Sequence, residues 1–378
     1  MMERNLEAWL ALYHQDILSD RPLHALLQQF GSAELLLAAD VCALVQVGLT
    51  QEKARDFVQV TRGHACRQQI ERSLCWLAGA DNRAIVPLSD PCYPPLLREI
   101  HDPPLLLFVQ GALESLLLPQ VAIVGSRRCS VDGRRNARYF GNALAARGFS
   151  LCSGMARGID TAAHEAALEA GAYTVAVTGT GADQCYPPQN RRMAQRICER
   201  GAVITELPLG SVAKPTHFPK RNRIISGMSL GVMVIEAATR SGSLITARLA
   251  LEHNRELFAV PGSIHNPLSA GPHRLIQQGA VLADDPVAVT EQFCALLTTQ
   301  TSLLPELPEG AKSSTASGGE PVLAADARHL IKAMGFDPVV LEVLVERTGM
   351  SLSQVQMLLL ELELRGVVTQ NAGHYVRC

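Results

Sequence analysis

The central half of this 378-residue chain predicts an α/β fold built on a doubly wound, mostly parallel sheet. Three observations carry that reading. Short apolar, strand-like runs recur from Val121 to Ala283. Helical patterns lie between most of them. Glycine-rich loops follow several of them. Parallel strands covered by helices on both faces are apolar on both sides, and these runs have that character.

The expected strands are Val121–Gly125, Phe149–Cys152, Tyr173–Thr178, Ala202–Thr205, Gly231–Glu236, Leu257–Val260 and Ala280–Ala283. Together they describe a Rossmann-like domain over about 120–297. In such sheets ligands bind beyond the carboxyl ends of the strands. The first strand leads into Gly125-Ser126-Arg127, and a helix follows from about Ser130. A strand–turn–helix of this type brings backbone N–H groups and a helix N-terminus to a phosphate. Arg127 sets it apart from a dinucleotide loop, which keeps small residues there so that a pyrophosphate can approach.

On either side of the sheet the composition changes. Residues 1–80 read as short amphipathic helices in a small SAM-like module, with Leu23 to Phe30 and Ser32 to Ala39 as examples. Thr50 is a candidate N-cap after the Val47-Gly48-Leu49 turn. Its few basic residues suit a packing or interaction module. Residues 81–119 are rich in proline (Pro91, Pro94, Pro95, Pro103, Pro104) and read as a connecting segment. Residues 298–324 shift to Thr, Ser, Pro, Gly and Glu and read as a flexible linker. Residues 325–378 then read as a winged helix. Its helices are expected at Ala325 to Met334, Pro338 to Arg347 and Ser351 to Arg365. A hairpin of Val367–Thr369 and His374–Val376 closes it. The third helix buries Leu352, Val355, Leu358, Leu359 and Leu362. Its other face carries Glu361 and Glu363 against Arg365, so the module is expected mainly to contact protein or to assist DNA binding only weakly.

Composition narrows the function. Apolar residues make up 47% and charged residues 19%, as in globular proteins. The formal net charge is −2, so nucleic-acid binding would need a local patch. Ten cysteines occur without a C-x-x-C pair, which argues against a zinc site or a disulfide framework and fits the cytoplasm. The start, Met1-Met2-Glu3-Arg4-Asn5-Leu6-Glu7, lacks the apolar core of a signal peptide. No apolar run approaches the ~20 residues that span a bilayer, so no membrane association is expected.

Enzyme signatures are mostly missing. There is no Walker A loop and no G-x-S-x-G elbow. The second strand ends in Leu151-Cys152-Ser153-Gly154 without the acid that would hold a nicotinamide ribose, so no cofactor is expected. Asp160 and His164 lie one helical turn apart. They are either a helix cap and a packed histidine or a catalytic pair. Glu236 is either catalytic or an anchor for loop amides. The run Lys220-Arg221-Asn222-Arg223 opens a helix, where arginine opposes the macrodipole, so an anionic ligand explains it better than a solvated helix start. Phe218 beside it is either core or a base-stacking ring. Several such loops on one sheet edge would form an extended phosphate-binding groove.

Val121 to about Ala283 resembles the DprA/Smf family (DNA processing protein A). The matching stretches are Val121 to Arg127, Ser153 to Asp160, Phe218 to Gly227 and Ser241 to Ala247. The flanks agree at Asp90 to Pro94, Asp102 to Pro104 and Leu360 to Gly366. Ser269-Ala270-Gly271-Pro272-His273 departs from the family, which tends to have Gly-Thr-Asn there. The resemblance implies a non-catalytic, dimeric protein that binds single-stranded DNA. It would load RecA onto that DNA, displace or bypass single-strand binding protein, and act in natural transformation. It also implies a set of DNA contacts. Arg127 meets phosphate, with Gly125 and Ser126 shaping its turn. Lys220, Arg221 and Arg223 line the same groove, and Phe218 faces a base. Asn222 and the stretch Gly154 to Gly158, with Arg157, complete the backbone contacts. The competing reading is a nucleotide-hydrolysing enzyme of the nucleoside monophosphate phosphoribohydrolase type using Glu236. The P-G-G-x-G-T loop of such enzymes is missing here.

Overall fold

A computed structural model describes residues 2–301, residue 330, residues 339–350 and parts of 354–377. The chain divides into two compact units, Met1–Leu304 and Pro305–Cys378. The first unit opens with six helices: α1 (Met2–Tyr13), α2 (Asp20–Phe30), α3 (Ala33–Ala38), α4 (Val41–Gln46), α5 (Gln51–Thr61) and α6 (His64–Ala78). Short polar residues start them. Ser32, Asp40 and Thr50 each accept a hydrogen bond from the amide three residues on. A short α7 (Pro95–Arg98) begins with proline at its first turn, where no N–H is needed.

The sheet strands are β1 (Arg83–Pro87), β2 (Leu106–Gly111), β3 (Gln120–Val124), β4 (Ser150–Ser153), β5 (Thr174–Val177), β6 (Ala202–Thr205), β7 (Gly231–Val234), β8 (Glu256–Ala259) and β9 (Val281–Leu282). Their order is β1-β2-β6-β5-β4-β3-β7-β8-β9. From β6 across to β9 the pairing is parallel, and β1 and β2 add antiparallel strands outside β6. The seven expected strands are therefore present. The proline-rich stretch contributes two more, because five of its prolines fall in the connection between β1 and β2. That leaves Arg83–Pro87 and Leu106–Gly111 free to pair.

The parallel part of the sheet starts at β3, winds outward through β4, β5 and β6, and returns to the other side of β3 for β7. That reversal opens a crevice at the carboxyl ends of β3 and β7. Successive residues of β3 face opposite layers. Val121 and Ile123 pack under α8 (Val131–Ala146), α9 (Ile159–Glu169) and Phe293. Ala122 and Val124 pack under α11 (His217–Met228) and α12 (Gly242–Glu252). Helix α10 (Arg191–Arg200) covers β5 and β6 through Met193 and Ile197. Helices α13 (Ala270–Gln277) and α14 (Pro286–Thr301) close the far side.

In the second unit β10 (Val339–Val340), α15 (Leu341–Thr348), β11 (Val368–Asn371) and β12 (His374–Arg377) are described. The expected hairpin pairs as β11 with β12, and β10 joins it as a third strand, so the helix starts at Leu341 rather than Pro338. Leu330, Leu344, Val355, Leu359 and Leu362 share one core. The linker beyond Thr301, and all of the 325–334 helix except Leu330, lie outside the described residues.

His164 on α9 is fully buried, 2.7 Å through Nδ1 from Thr174 Oγ1. Thr174 donates its hydroxyl proton to Leu151 O at 2.8 Å, so it accepts from the Nδ1–H of a neutral ring. Burial, then the nearby Arg221 charge, lowers the His164 pKa to about 3. The packed-histidine alternative thus describes this residue. The unfolded chain takes up a proton that the folded chain refuses, so stability falls as pH drops from 6.5 toward about 3. Urea titrations between about pH 7 and pH 5 are expected to show a slope from this group approaching ~1.4 kcal/mol per pH unit. His164→Leu should flatten the slope by that amount; equal slopes in the two proteins would contradict the assignment.

Candidate nucleic-acid interface

The Gly125-Ser126-Arg127 turn is held from three sides. The Ser126 N–H donates to Glu236 O at 2.7 Å across the β3–β7 crevice. The Ile159 N–H at the start of α9 donates to Ser126 O at 3.2 Å, and Ser243 Oγ donates to Gly125 O at 2.9 Å. Gly158 sits at φ +83°, and a Cβ there would stand 2.3 Å from Ser126 O. Both the dihedral and the space demand glycine. Gly158 therefore lets the turn close, and the Ser126 amide is engaged within the protein.

Glu236 is 5% exposed and has both carboxylate oxygens occupied. Oε2 accepts from the Ser130 N–H at 2.8 Å, and Oε1 accepts from Ser130 Oγ at 2.5 Å and Asn266 Nδ2 at 3.2 Å. The carboxylate lies at the N-terminus of α8, where the helix dipole favours a negative charge. Between the two sequence alternatives, the geometry is that of an anchor. The divergent stretch at Ser269 to His273 supports the same strand end: the Gly271 N–H donates to Ala237 O at 2.9 Å.

Beyond this tie lies a cleft of about 920 Å³. Gly125, Ser126, Arg127, Phe218, Arg221 and Asn222 line it, together with Ser241, Gly242 and Ser243 at the first turn of α12. The N-terminal turns of α11 and α12 thus both open on it, a setting that favours anions. Arg127 is exposed, and its guanidinium carbon lies 5.2 Å over the Phe218 ring.

The basic run splits by helix face. Arg221 is buried; its Nη1 donates to the carbonyl oxygens of Gly154 and Val177, and its Nε donates to Asn222 Oδ1 at 3.0 Å. A Cβ on Gly154 would stand 2.1 Å from Arg221 Nη2, so Gly154 makes room for the guanidinium. Arg223, expected in the groove, faces the other way. It is 5% exposed, pairs through Nη2 with Glu206, and donates from Nη1 to Asp102 O at 2.7 Å. Its anion comes from the protein itself. Lys220 is exposed, with Nζ 3.7 Å from Glu206 Oε2. Gly154, Arg157, Gly158, Lys220 and Arg223 are not among the residues lining the cleft, although Arg157 is exposed on the neighbouring loop.

Asp160 lines the cleft floor and accepts from the Ala156 N–H at 3.2 Å, so it closes the loop before α9 rather than capping that helix. Burial raises its pKa, opposed first by Arg221. Arg127, Arg128 and Arg221 line the cleft against this one acid, so its lining is basic. Among the described residues, no cluster of three or more His, Cys, Asp or Glu is placed to hold a metal. Site reasoning from sequence missed Tyr186, Ser241 and Ser243 as lining residues. Their loops were visible as strand-end segments expected to share one groove, but the spacing did not show which of their residues face it.

A doubly wound sheet with a basic cleft at its switch point, glycine turns and two helix N-termini has the architecture of a protein whose site suits an anionic ligand. Residues 84–294 match the family DNA recombination-mediator protein A, and residues 314–374 match the DprA winged helix domain. The chain is 42% identical to Protein Smf of Escherichia coli K12 over 339 residues, 89% of this chain and 87% of that one. It is 48% identical to the DNA processing protein DprA of Streptococcus pneumoniae over 204 residues, 54% of this chain and 72% of that one. The X-ray structure of the S. pneumoniae DprA superposes with a TM-score of 0.66 at 36% identity, covering 75% of this chain and 96% of that one. A Helicobacter pylori DNA processing protein A, solved for its single-stranded DNA binding mode, gives 0.50 at 28% identity, covering 53% and 93%. The chain belongs to the DNA recombination-mediator protein A family, DprA/Smf.

Glu206→Ala would strip the buried Arg223 of its buried carboxylate and leave it the part-exposed Asp102, whose Oδ2 lies 3.4 Å from Nε. A loss of about 3–5 kcal/mol in urea-unfolding stability is expected. A loss below about 1 kcal/mol, within the range of an exposed pair, would show that the pair does not hold α11.

Proposed function

We infer that this protein binds single-stranded DNA in the switch-point cleft and hands it to a recombinase, without catalysing a reaction of its own. The observation that carries the reading is Arg127. It stands exposed beside an aromatic ring, on a turn fixed by three hydrogen bonds, at a cleft onto which two helix N-termini open. A rigid cation with an open approach is what a phosphate backbone needs. The engagement of Glu236 with Ser130 and Asn266 counts against nucleotide hydrolysis, since both carboxylate oxygens are already committed to protein donors and the group is buried.

Membership of the family supports the partners. RecA receives the strand, single-strand binding protein is displaced or bypassed, and the working form is a homodimer acting in DNA uptake or recombination. A cytoplasmic site of action fits the nine described cysteines, all free thiols. Among the described residues, no helix is long and apolar enough to cross a membrane.

Arg127→Ala is expected to weaken binding to single strands of any sequence alike and to reduce the salt slope by ~0.7. Fluorescence anisotropy with oligo-dT at several salt concentrations measures both. Unchanged affinity and slope would remove the cleft as the binding site.

A further inference from the structure

Phe218, the ring expected to meet a base, is already occupied. The Arg127 guanidinium lies 5.2 Å over it. The Gly179 backbone is packed so closely that a Cβ there would stand 3.1 Å from Phe218 Cδ1. The Tyr186 ring lies 5.7 Å away at an interplanar angle of 44°. An incoming base would have to displace one of these neighbours to reach Phe218.

Tyr186 is different. It lines the same cleft and is 44% exposed. Its loop is fixed on both sides. The Gln184 N–H donates to Gly181 O at 2.9 Å, and Thr180 Oγ1 donates to Gln184 O at 3.1 Å. Downstream, the Asn190 N–H donates to Pro187 O at 3.0 Å, and Asn190 Nδ2 donates to Met155 O at 2.8 Å. The ring is therefore presented on a rigid segment, backed by Phe218, with Arg127 beyond.

We propose that Tyr186 is the base-stacking platform of the cleft, with Phe218 as its support and Arg127 as the phosphate contact beside it. The ligand is an unpaired nucleobase within a strand, of any sequence, because every base offers a π-face. Arg127 and Tyr186 thus divide the nucleotide: one holds the backbone and the other the base. This rests on single-strand binding in the cleft, and the experiment separates the two claims.

The test compares oligo-dT with an abasic deoxyribose-phosphate oligomer of equal length, against wild type, Tyr186→Ala, Tyr186→Phe and Arg127→Ala. Tyr186→Ala is expected to weaken oligo-dT binding about ten-fold, in line with the loss of one stacked base. Its abasic binding and salt slope should stay at the wild-type values. Tyr186→Phe should retain oligo-dT binding, and Arg127→Ala should weaken both ligands. If wild type binds oligo-dT and Tyr186→Ala binds it equally well, the stacking assignment is wrong while the cleft reading stands. Equal loss of both ligands in Tyr186→Ala would likewise overturn stacking, since it would mark a backbone effect. If wild type binds neither ligand, the single-strand reading itself fails, and this one with it.

Discussion

The site depends on one tie across the middle of the sheet. The return from β6 to β7 leaves a gap at the carboxyl ends of β3 and β7, and Glu236 closes it from one side. Its backbone oxygen takes the Ser126 amide, and its carboxylate takes the Ser130 amide and hydroxyl. A buried carboxylate would be costly without such partners. Here the N-terminus of α8 and the Asn266 amide supply them. A Cβ on Gly133 would stand 2.3 Å from Glu236 Oε2, so the first turn of α8 is matched to the carboxylate in shape as well as in charge. The direction of the Arg127 turn follows from this fit.

The same economy governs the cations. Arg221 satisfies the exposed carbonyl ends of β4 and β5, and Arg223 neutralises Glu206 beneath α11. Both are part of the scaffold. The charge left to act outward comes from residues on rigid loops, Arg127 above all. The cleft lining is basic because Arg127, Arg128 and Arg221 border it against Asp160. A net-acidic chain can therefore present a locally cationic cleft.

Much of the fold was legible in the sequence. All seven parallel strands are written as apolar runs, and the caps at Ser32, Thr50 and Ser130 start helices where polar residues precede apolar periodicity. The two antiparallel strands were hidden because Ile85-Val86 and Leu106 to Val109 are short and sit among prolines that belong to their connection. In the site, the Gly125 turn and the cleft were readable as a pattern of strand-end loops. The roles of Arg221 and Arg223 were not, since adjacent basic residues on a helix point to different partners and only the packed structure says which. Tyr186 escaped for a related reason: its distance from Phe218 in the chain gives no sign of their contact in space.

The seam between the helical module and the sheet has its own consequence. Phe108 of β2 meets Tyr13 at 5.8 Å and Trp76 at 5.5 Å, both edge-on, and Tyr13 donates its hydroxyl proton to Glu206 O at 2.7 Å. Glu206 is the residue that holds Arg223. The amino-terminal helices thus reach, through one aromatic cluster and one backbone oxygen, the residue that steadies the cleft wall. The helical module behaves less as an appended domain than as the outer brace of the cleft, and a substitution in its aromatic cluster would be felt at the cleft wall without touching the cleft itself.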